Sequence, residues 1–284
     1  DKFDRELRSP SFARRLSEYR QVYSGKKVVL GVERLDYTKG IPRRLDAIEK
    51  FLAQLRNRED IVFILISVPT REEVAAYQTL LEQVQGRISQ INRKYSRIKN
   101  VPLRFMHRSV SFSQLCALYA LADVCMVTPL VDGMNLVAKE YVFCQKENTG
   151  VLILSEFAGA AQELPNAMIV NPYHIGQMAD CLEEALAMSD EEKTQRMASM
   201  RARVTLVRCL AAAVITTLPT AGEPVKKMWS NGSSSKAVDV GKLNRWGLRI
   251  IRAAMPATPA AAPRRATRKA APTRRATKDR QPTR

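Results

Sequence analysis

Arg34 and Lys39 stand five residues apart just beyond the apolar run Val28-Val29-Leu30-Gly31-Val32, and Asp132 and Glu140 bracket the stretch Asp-Gly-Met-Asn-Leu-Val-Ala-Lys-Glu. A guanidinium fork beside a point charge is the donor set a diphosphate needs. Two carboxylates beside free backbone amides suit sugar hydroxyls and a phosphate. The Asp132 stretch offers such amides. An apolar run, Val124-Cys125-Met126-Val127, leads into it through Thr128-Pro129-Leu130, a glycine marks the bend, and a helical pattern leaves it. A helix start leaves N–H groups unpaired, and its dipole favours negative charge. A nucleotide-sugar fits this combination. The plain alternative is a strand–helix junction with a capping aspartate, with Arg34 and Lys39 as solvated surface charges.

Other residues that could do chemistry are weaker. Arg71, after Ser67-Val68-Pro69-Thr70, is a single cation at a strand end. His107 and His174 have no visible Ser or Cys nucleophile partner, and neither G-x-S-x-G nor a P-loop occurs, so hydrolase and kinase readings find no support. Two histidines give zinc few ligands. The five cysteines (116, 125, 144, 181 and 209) show no C-x-x-C pair and read as reduced core thiols of a cytoplasmic protein.

These residues need a scaffold, and the hydrophobic pattern supplies one. Expected strands are 28–32, 61–66, 103–106, 124–127, 151–154 and 168–170. Expected helices are about 11–23, 43–57, 71–95, 111–121, 134–146, 174–188 and 190–203, with a short one at Gly159-Ala160-Ala161. Strands alternating with helices argue an α/β fold with a Rossmann-like parallel sheet covered on both faces. Ligands of such sheets bind beyond the carboxyl ends of the strands, which points to loops 33–40, 67–71, 107–111, 128–135 and 155–160.

The net charge of +18 is unevenly placed: residues 1–200 carry 27 Lys/Arg against 25 Asp/Glu, and residues 201–284 carry 19 against 3. Positions 204–218 are apolar but shorter than the roughly 20 residues a membrane span takes. Asn231-Gly232-Ser233-Ser234-Ser235 reads as a linker, and Leu243, Trp246, Ile250 and Ile251 as one side of a short basic helix. Residues 256–284 cannot bury a core. The tail 205–284 is therefore expected to be a disordered basic extension or an artefact of gene prediction. A nucleic-acid arm is the competing reading.

Several blocks resemble trehalose-6-phosphate synthases: Val32-Glu33-Arg34-Leu35-Asp36-Tyr37-Thr38-Lys39-Gly40-Ile41-Pro42, Arg108-Ser109-Val110, Asp132 through Glu140, and Leu154-Ser155-Glu156-Phe157-Ala158-Gly159-Ala160-Ala161. They follow that family's order across roughly residues 10–200. The resemblance implies that residues 1–204 are the C-terminal, donor-binding half of a GT-B glycosyltransferase. It implies that Arg34 and Lys39 hold the diphosphate of UDP-glucose, which is a co-substrate, with no cofactor and no metal. Asp132 would bind the transferred glucose and, with Arg34 and Lys39, form the catalytic set. Leu136, Val137, Ala138, Lys139 and Glu140 would belong to the donor site, Glu140 on the ribose, with Val110 at uracil. Arg71 would reach the phosphate of glucose 6-phosphate. The implied reaction gives trehalose 6-phosphate with retention, by front-face attack without an enzyme nucleophile.

The same resemblance implies a preceding GT-B domain as partner, supplying much of the acceptor site, and without it the fragment is expected to be inactive. A homo-oligomer or a trehalose-phosphate phosphatase partner is compatible with the family; nucleic acid is not expected. A synthase-like regulatory subunit that binds sugar phosphate without turnover is the alternative within the family.

Overall fold

In the computed structural model, the described residues are 2–55, 60–71, 73–98 and 100–217, with side chains considered only through Thr205 in the last helix. The expected linker, the short basic helix and residues 218–284 of the expected tail lie outside the described residues, whereas residues 205–217 of that tail are helical rather than disordered.

Six strands form one sheet, β1 (Lys27–Arg34), β2 (Ile61–Val68), β3 (Leu103–Met106), β4 (Val124–Val127), β5 (Val151–Ser155) and β6 (Met168–Val170), in the order β3-β2-β1-β4-β5-β6. Every neighbouring pair is parallel. Parallel pairing requires crossovers, and helices supply them: α3 (Ile41–Gln54), α4 (Ala75–Tyr95), α5 (Phe112–Leu121), α6 (Leu136–Cys144) and α7 (Ala160–Glu163), while α8 (Ile175–Ala187) follows β6. Two helices, α1 (Lys2–Glu6) and α2 (Pro10–Val22), precede β1, and α9 (Asp190–Thr217) follows α8.

Helices on both faces explain why β1, β2 and β4 read as continuous apolar runs. Alternate residues feed two separate cores. Val29, Phe63, Leu65, Met126 and Ile153 pack with α3, α4 and α8. Val28, Leu30, Val62, Ile64, Cys125 and Leu152 pack with α5, α6 and α9.

The chain runs outward from β1 through β2 to β3, then returns to place β4 on the other side of β1. The strand order therefore reverses between β1 and β4, and the crevice at such a reversal is where open α/β sheets bind ligands. The loops leaving β1 and β4 carry Arg34, Lys39 and Asp132.

Two helix ends and one additional helix depart most from the sequence-based expectation. Helix α4 begins at Ala75 rather than near 71, because Arg71 takes a left-handed φ of 49° and the Val74 N–H closes a turn onto its carbonyl at 3.0 Å. Helix α9 runs to Thr217 instead of stopping near 203. Helix α1 was not expected; Phe3 lays its ring edge-on to Phe112 and Phe143, an apolar anchor too short for periodicity to reveal. No described helix is long and apolar enough to cross a membrane.

Candidate active site at the sheet's switch point

The loop after β1 is built to present a cation. Asp36 caps a single 3₁₀ turn, Tyr37–Lys39, its carboxylate accepting from the Thr38 amide at 2.9 Å and the Thr38 hydroxyl at 2.7 Å. Gly40 ends that turn at φ 66°, a conformation glycine adopts without steric cost. Pro42 then sits in the first turn of α3.

The loop after β4 is fastened to its neighbours by main-chain bonds on two sides. Leu130 and Val131 donate to the Thr38 carbonyl at 2.8 and 3.4 Å. On the other side Asp132 donates to the Phe157 carbonyl at 3.2 Å, and the Asp132 and Met134 carbonyls accept from Gly159 and Ala160 at 2.9 and 2.8 Å. A side chain at Gly159 would collide with the Gly133 carbonyl, so this approach requires glycine.

Three loops thus form one rigid rim, and it brings a cation against a carboxylate. Lys39 Nζ lies 2.7 Å from Asp132 Oδ2. Asp132 also accepts from the Met134 amide at 3.3 Å and the Asn135 side chain at 3.1 Å. Partial burial of Asp132 raises its pKa, but the Lys39 hydrogen bond, the Met134 amide, the Lys39 charge and Asn135 outweigh it and hold the carboxyl below its usual value.

Asn135, at φ 66°, caps α6 by accepting from the Ala138 amide at 3.0 Å. Leu136 is exposed and Val137 half-buried at the first turn of that helix, beside the rim. Glu140, on the next turn, accepts from the Tyr119 hydroxyl at 3.0 Å. Burial raises the Glu140 pKa, opposed by the Tyr119 bond and the Lys2 charge.

Arg34 ends β1 exposed, and nothing among the described residues pairs with its guanidinium. Arg71 follows β2 and donates to the Tyr77 hydroxyl at 2.9 Å. Val110 packs half-buried just before the Ser111 cap of α5.

Two members of the expected donor set turn elsewhere. The Ala138 side chain is fully buried in the core and its amide is taken by the Asn135 cap. Lys139 is held by Glu163 of α7, 2.7 Å away. The histidines are structural in their contacts: His107 Nδ1 lies 3.1 Å from the Ser67 carbonyl, and His174 caps α8 by accepting from the Gln177 amide.

Sequence reasoning missed Asp36, Tyr77, Tyr119 and Asn135. An Asp two residues before Thr was a legible cap signal. Nothing in the local pattern marked the two tyrosines: Tyr77 bridges the loops after β1 and β2, and Tyr119 meets Glu140 across two helices. Among the described residues no cluster of His, Cys, Asp or Glu stands ready to hold a metal ion.

A parallel, Rossmann-like sheet with a cation–carboxylate pair at its switch point places the chain among the doubly wound α/β domains, whose ligands bind at that point. The chain belongs to glycosyltransferase family 20, which it matches over residues 1–208. It is 46% identical over 198 residues to an Arabidopsis thaliana alpha,alpha-trehalose-phosphate synthase [UDP-forming], covering 69% of this chain and 21% of that protein. It is 43% identical over 194 residues to the 56 kDa subunit of the Saccharomyces cerevisiae synthase, covering 68% and 39%. It therefore spans well under half the length of either relative.

Among solved structures, the UDP-forming synthase of Burkholderia xenovorans in complex with glucose-6-phosphate superposes with a TM-score of 0.68 at 39% identity, covering 72% of this chain and 45% of that one. An E. coli structure bound with UDP-2-fluoro glucose gives 0.68 at 37% identity, covering 72% and 45%. The N-terminal domain of a Candida albicans trehalose-6-phosphate phosphatase gives 0.68 at 32%, covering 72% and 44%.

Proposed function

We propose that this chain carries the donor half of a retaining glucosyltransferase that moves glucose from UDP-glucose to glucose 6-phosphate, giving trehalose 6-phosphate. The carrying observation is the meeting of Lys39 and Asp132 at the sheet's switch point. An ammonium has three donors. With one on Asp132, two remain for diphosphate oxygens. Arg34, exposed at the end of β1, adds a forked donor for the same leaving group. Charge that develops there as the glycosidic bond breaks is stabilised by cations already in place.

Asp132 keeps acceptor capacity for a hydroxyl of the transferred glucose. Leu136 and Val137 offer main-chain amides at a helix start, and Glu140, steadied by Tyr119, accepts from the ribose. Val110 is assigned to uracil and Arg71 to the acceptor phosphate. Ala138 and Lys139 contribute to this set through the helix they build. The matched relatives are about two to five times longer than the matched stretch. The acceptor's other wall, and with it the orientation part of the rate, is assigned to a preceding domain.

Calorimetry with UDP tests the donor reading. Arg34→Ala and Lys39→Ala are each expected to weaken UDP binding by about 1–3 kcal/mol, the worth of a charge-assisted bond. Unchanged affinity in both would overturn the placement of the diphosphate.

The likeness to a phosphatase's N-terminal domain favours one second reading, a sugar-phosphate-binding subunit without turnover. UDP-glucose binding by the parent chain separates the two, since only the first reading needs it.

A further inference from the structure

The cation assigned to the acceptor phosphate is tied to the loop that carries the donor cation. Strands β1 and β2 are neighbours with Arg34 opposite Val68, and the Leu35 amide donates to the Val68 carbonyl at 3.0 Å. The loops that follow them therefore leave the sheet side by side.

Between them stands Tyr77, in the first turn of α4 and 3% exposed. Its hydroxyl accepts from Arg71 Nη1 at 2.9 Å and donates to Asp36 Oδ2 at 3.3 Å. The other Asp36 oxygen caps the turn that ends in Lys39. Arg71 meanwhile holds a left-handed backbone that a side-chain-bearing residue rarely adopts. Such strain persists only where the surroundings impose it. A long side chain on an exposed turn would otherwise sample many rotamers. Here it is fixed at its tip by a buried hydroxyl.

We propose that Tyr77, anchored on Asp36, is a positioning residue that holds the Arg71 guanidinium at a set separation from Lys39. Acceptor phosphate and donor diphosphate are thereby placed for one another before either binds. This rests on the assignment of Arg71 to the acceptor phosphate. Tyr77 itself touches neither substrate; it acts through Arg71.

The test is calorimetry of glucose 6-phosphate and UDP-glucose on the full 284-residue chain, with thermal melting alongside. Arg71→Ala is expected to weaken glucose 6-phosphate binding by about tenfold or more, as for a lost charged partner. Tyr77→Phe keeps the ring and loses only the hydroxyl. It is expected to weaken glucose 6-phosphate by about fivefold, the scale of one hydrogen bond, with UDP-glucose affinity unchanged and melting lowered by no more than about 2–4 °C. The double variant should bind no worse than Arg71→Ala alone, because Tyr77 has nothing left to position.

Arg71→Ala weak but Tyr77→Phe like the parent overturns this inference and leaves the acceptor assignment standing. A Tyr77→Phe chain that loses both ligands together with its melting temperature overturns it in favour of a structural role. Unchanged glucose 6-phosphate affinity in Arg71→Ala overturns the acceptor assignment and this inference with it.

Discussion

Arg44 Nη2 lies 2.7 Å from Glu33 Oε2, with 2% and 8% of the two side chains exposed. The guanidinium reaches from α3 to β1, and its Nη1 donates to the Met126 carbonyl of β4 at 3.2 Å. One buried cation therefore ties together the two strands whose loops make the site. It also explains Gly31: a side chain there would strike the Arg44 guanidinium.

Breaking that pair from one side leaves an uncompensated buried charge. Arg44→Met and Glu33→Gln are each expected to cost about 3–5 kcal/mol in urea unfolding. The double variant should cost clearly less than the two added, because no charge is then stranded. Additive losses would show that the two groups act independently.

The alternation of strands and helices was legible from the apolar runs, and the switch point followed from it. The Lys39–Asp132 meeting was half-legible: loop order put both at the sheet's carboxyl edge, but only β1–β4 adjacency made them touch. Arg44 was illegible. In sequence it is a charge in the first turns of a helix, where solvation is the ordinary outcome, and its burial depends on a glutamate eleven positions earlier. The turn at Arg71 was hidden for a related reason. The charged pattern of α4 continues upstream without a break, and a left-handed arginine has no sequence signal. The cysteines were readable as core residues: Cys116, Cys125, Cys144 and Cys181 are all buried.

Gly40 sits at φ 66°, and a Cβ there would stand 2.9 Å from the Thr128 carbonyl and 3.1 Å from Leu130 Cδ2. Gly40→Ala therefore adds backbone strain and pushes the Lys39 loop from the Asp132 loop. A loss of about 1–3 kcal/mol in stability is expected, accompanied by weaker UDP binding. Stability lost with UDP affinity intact would show that the two loops are not a single unit.

Asp132 gives an acid-side signature. Its folded pKa lies below its usual value, so the folded state holds the ionised form more tightly than the unfolded chain does. That contribution is fully present above the unfolded carboxylate range, about 3.9 for Asp, and is lost as pH falls through the depressed folded value. Asp132→Asn should flatten this limb of an acid-unfolding curve while leaving the neutral-pH region parallel to the parent. An acid limb unchanged in Asp132→Asn would mean that Lys39 does not hold this carboxylate in solution.

Glu140 runs the opposite way, and the contrast separates the two carboxylates by pH. Burial raises its pKa, so on acidification it takes up a proton before an ordinary glutamate, whose value is about 4.3. Folding favours its protonated form, and its contribution to stability falls as pH rises through the raised value. A protonated Glu140 is a poorer acceptor for ribose hydroxyls. The affinity for UDP-glucose, whose diphosphate does not titrate in this range, is therefore expected to decline on acidification from above the usual glutamate value. Glu140→Gln should remove that limb at the cost of lower affinity at neutral pH. Tyr119→Phe should move it to still higher pH, because the Tyr119 hydrogen bond supports the ionised form. Binding measured from pH 4 to 8 in the three chains decides it: a limb that stays put in Glu140→Gln belongs to another group, and Glu140 then lies off the donor site.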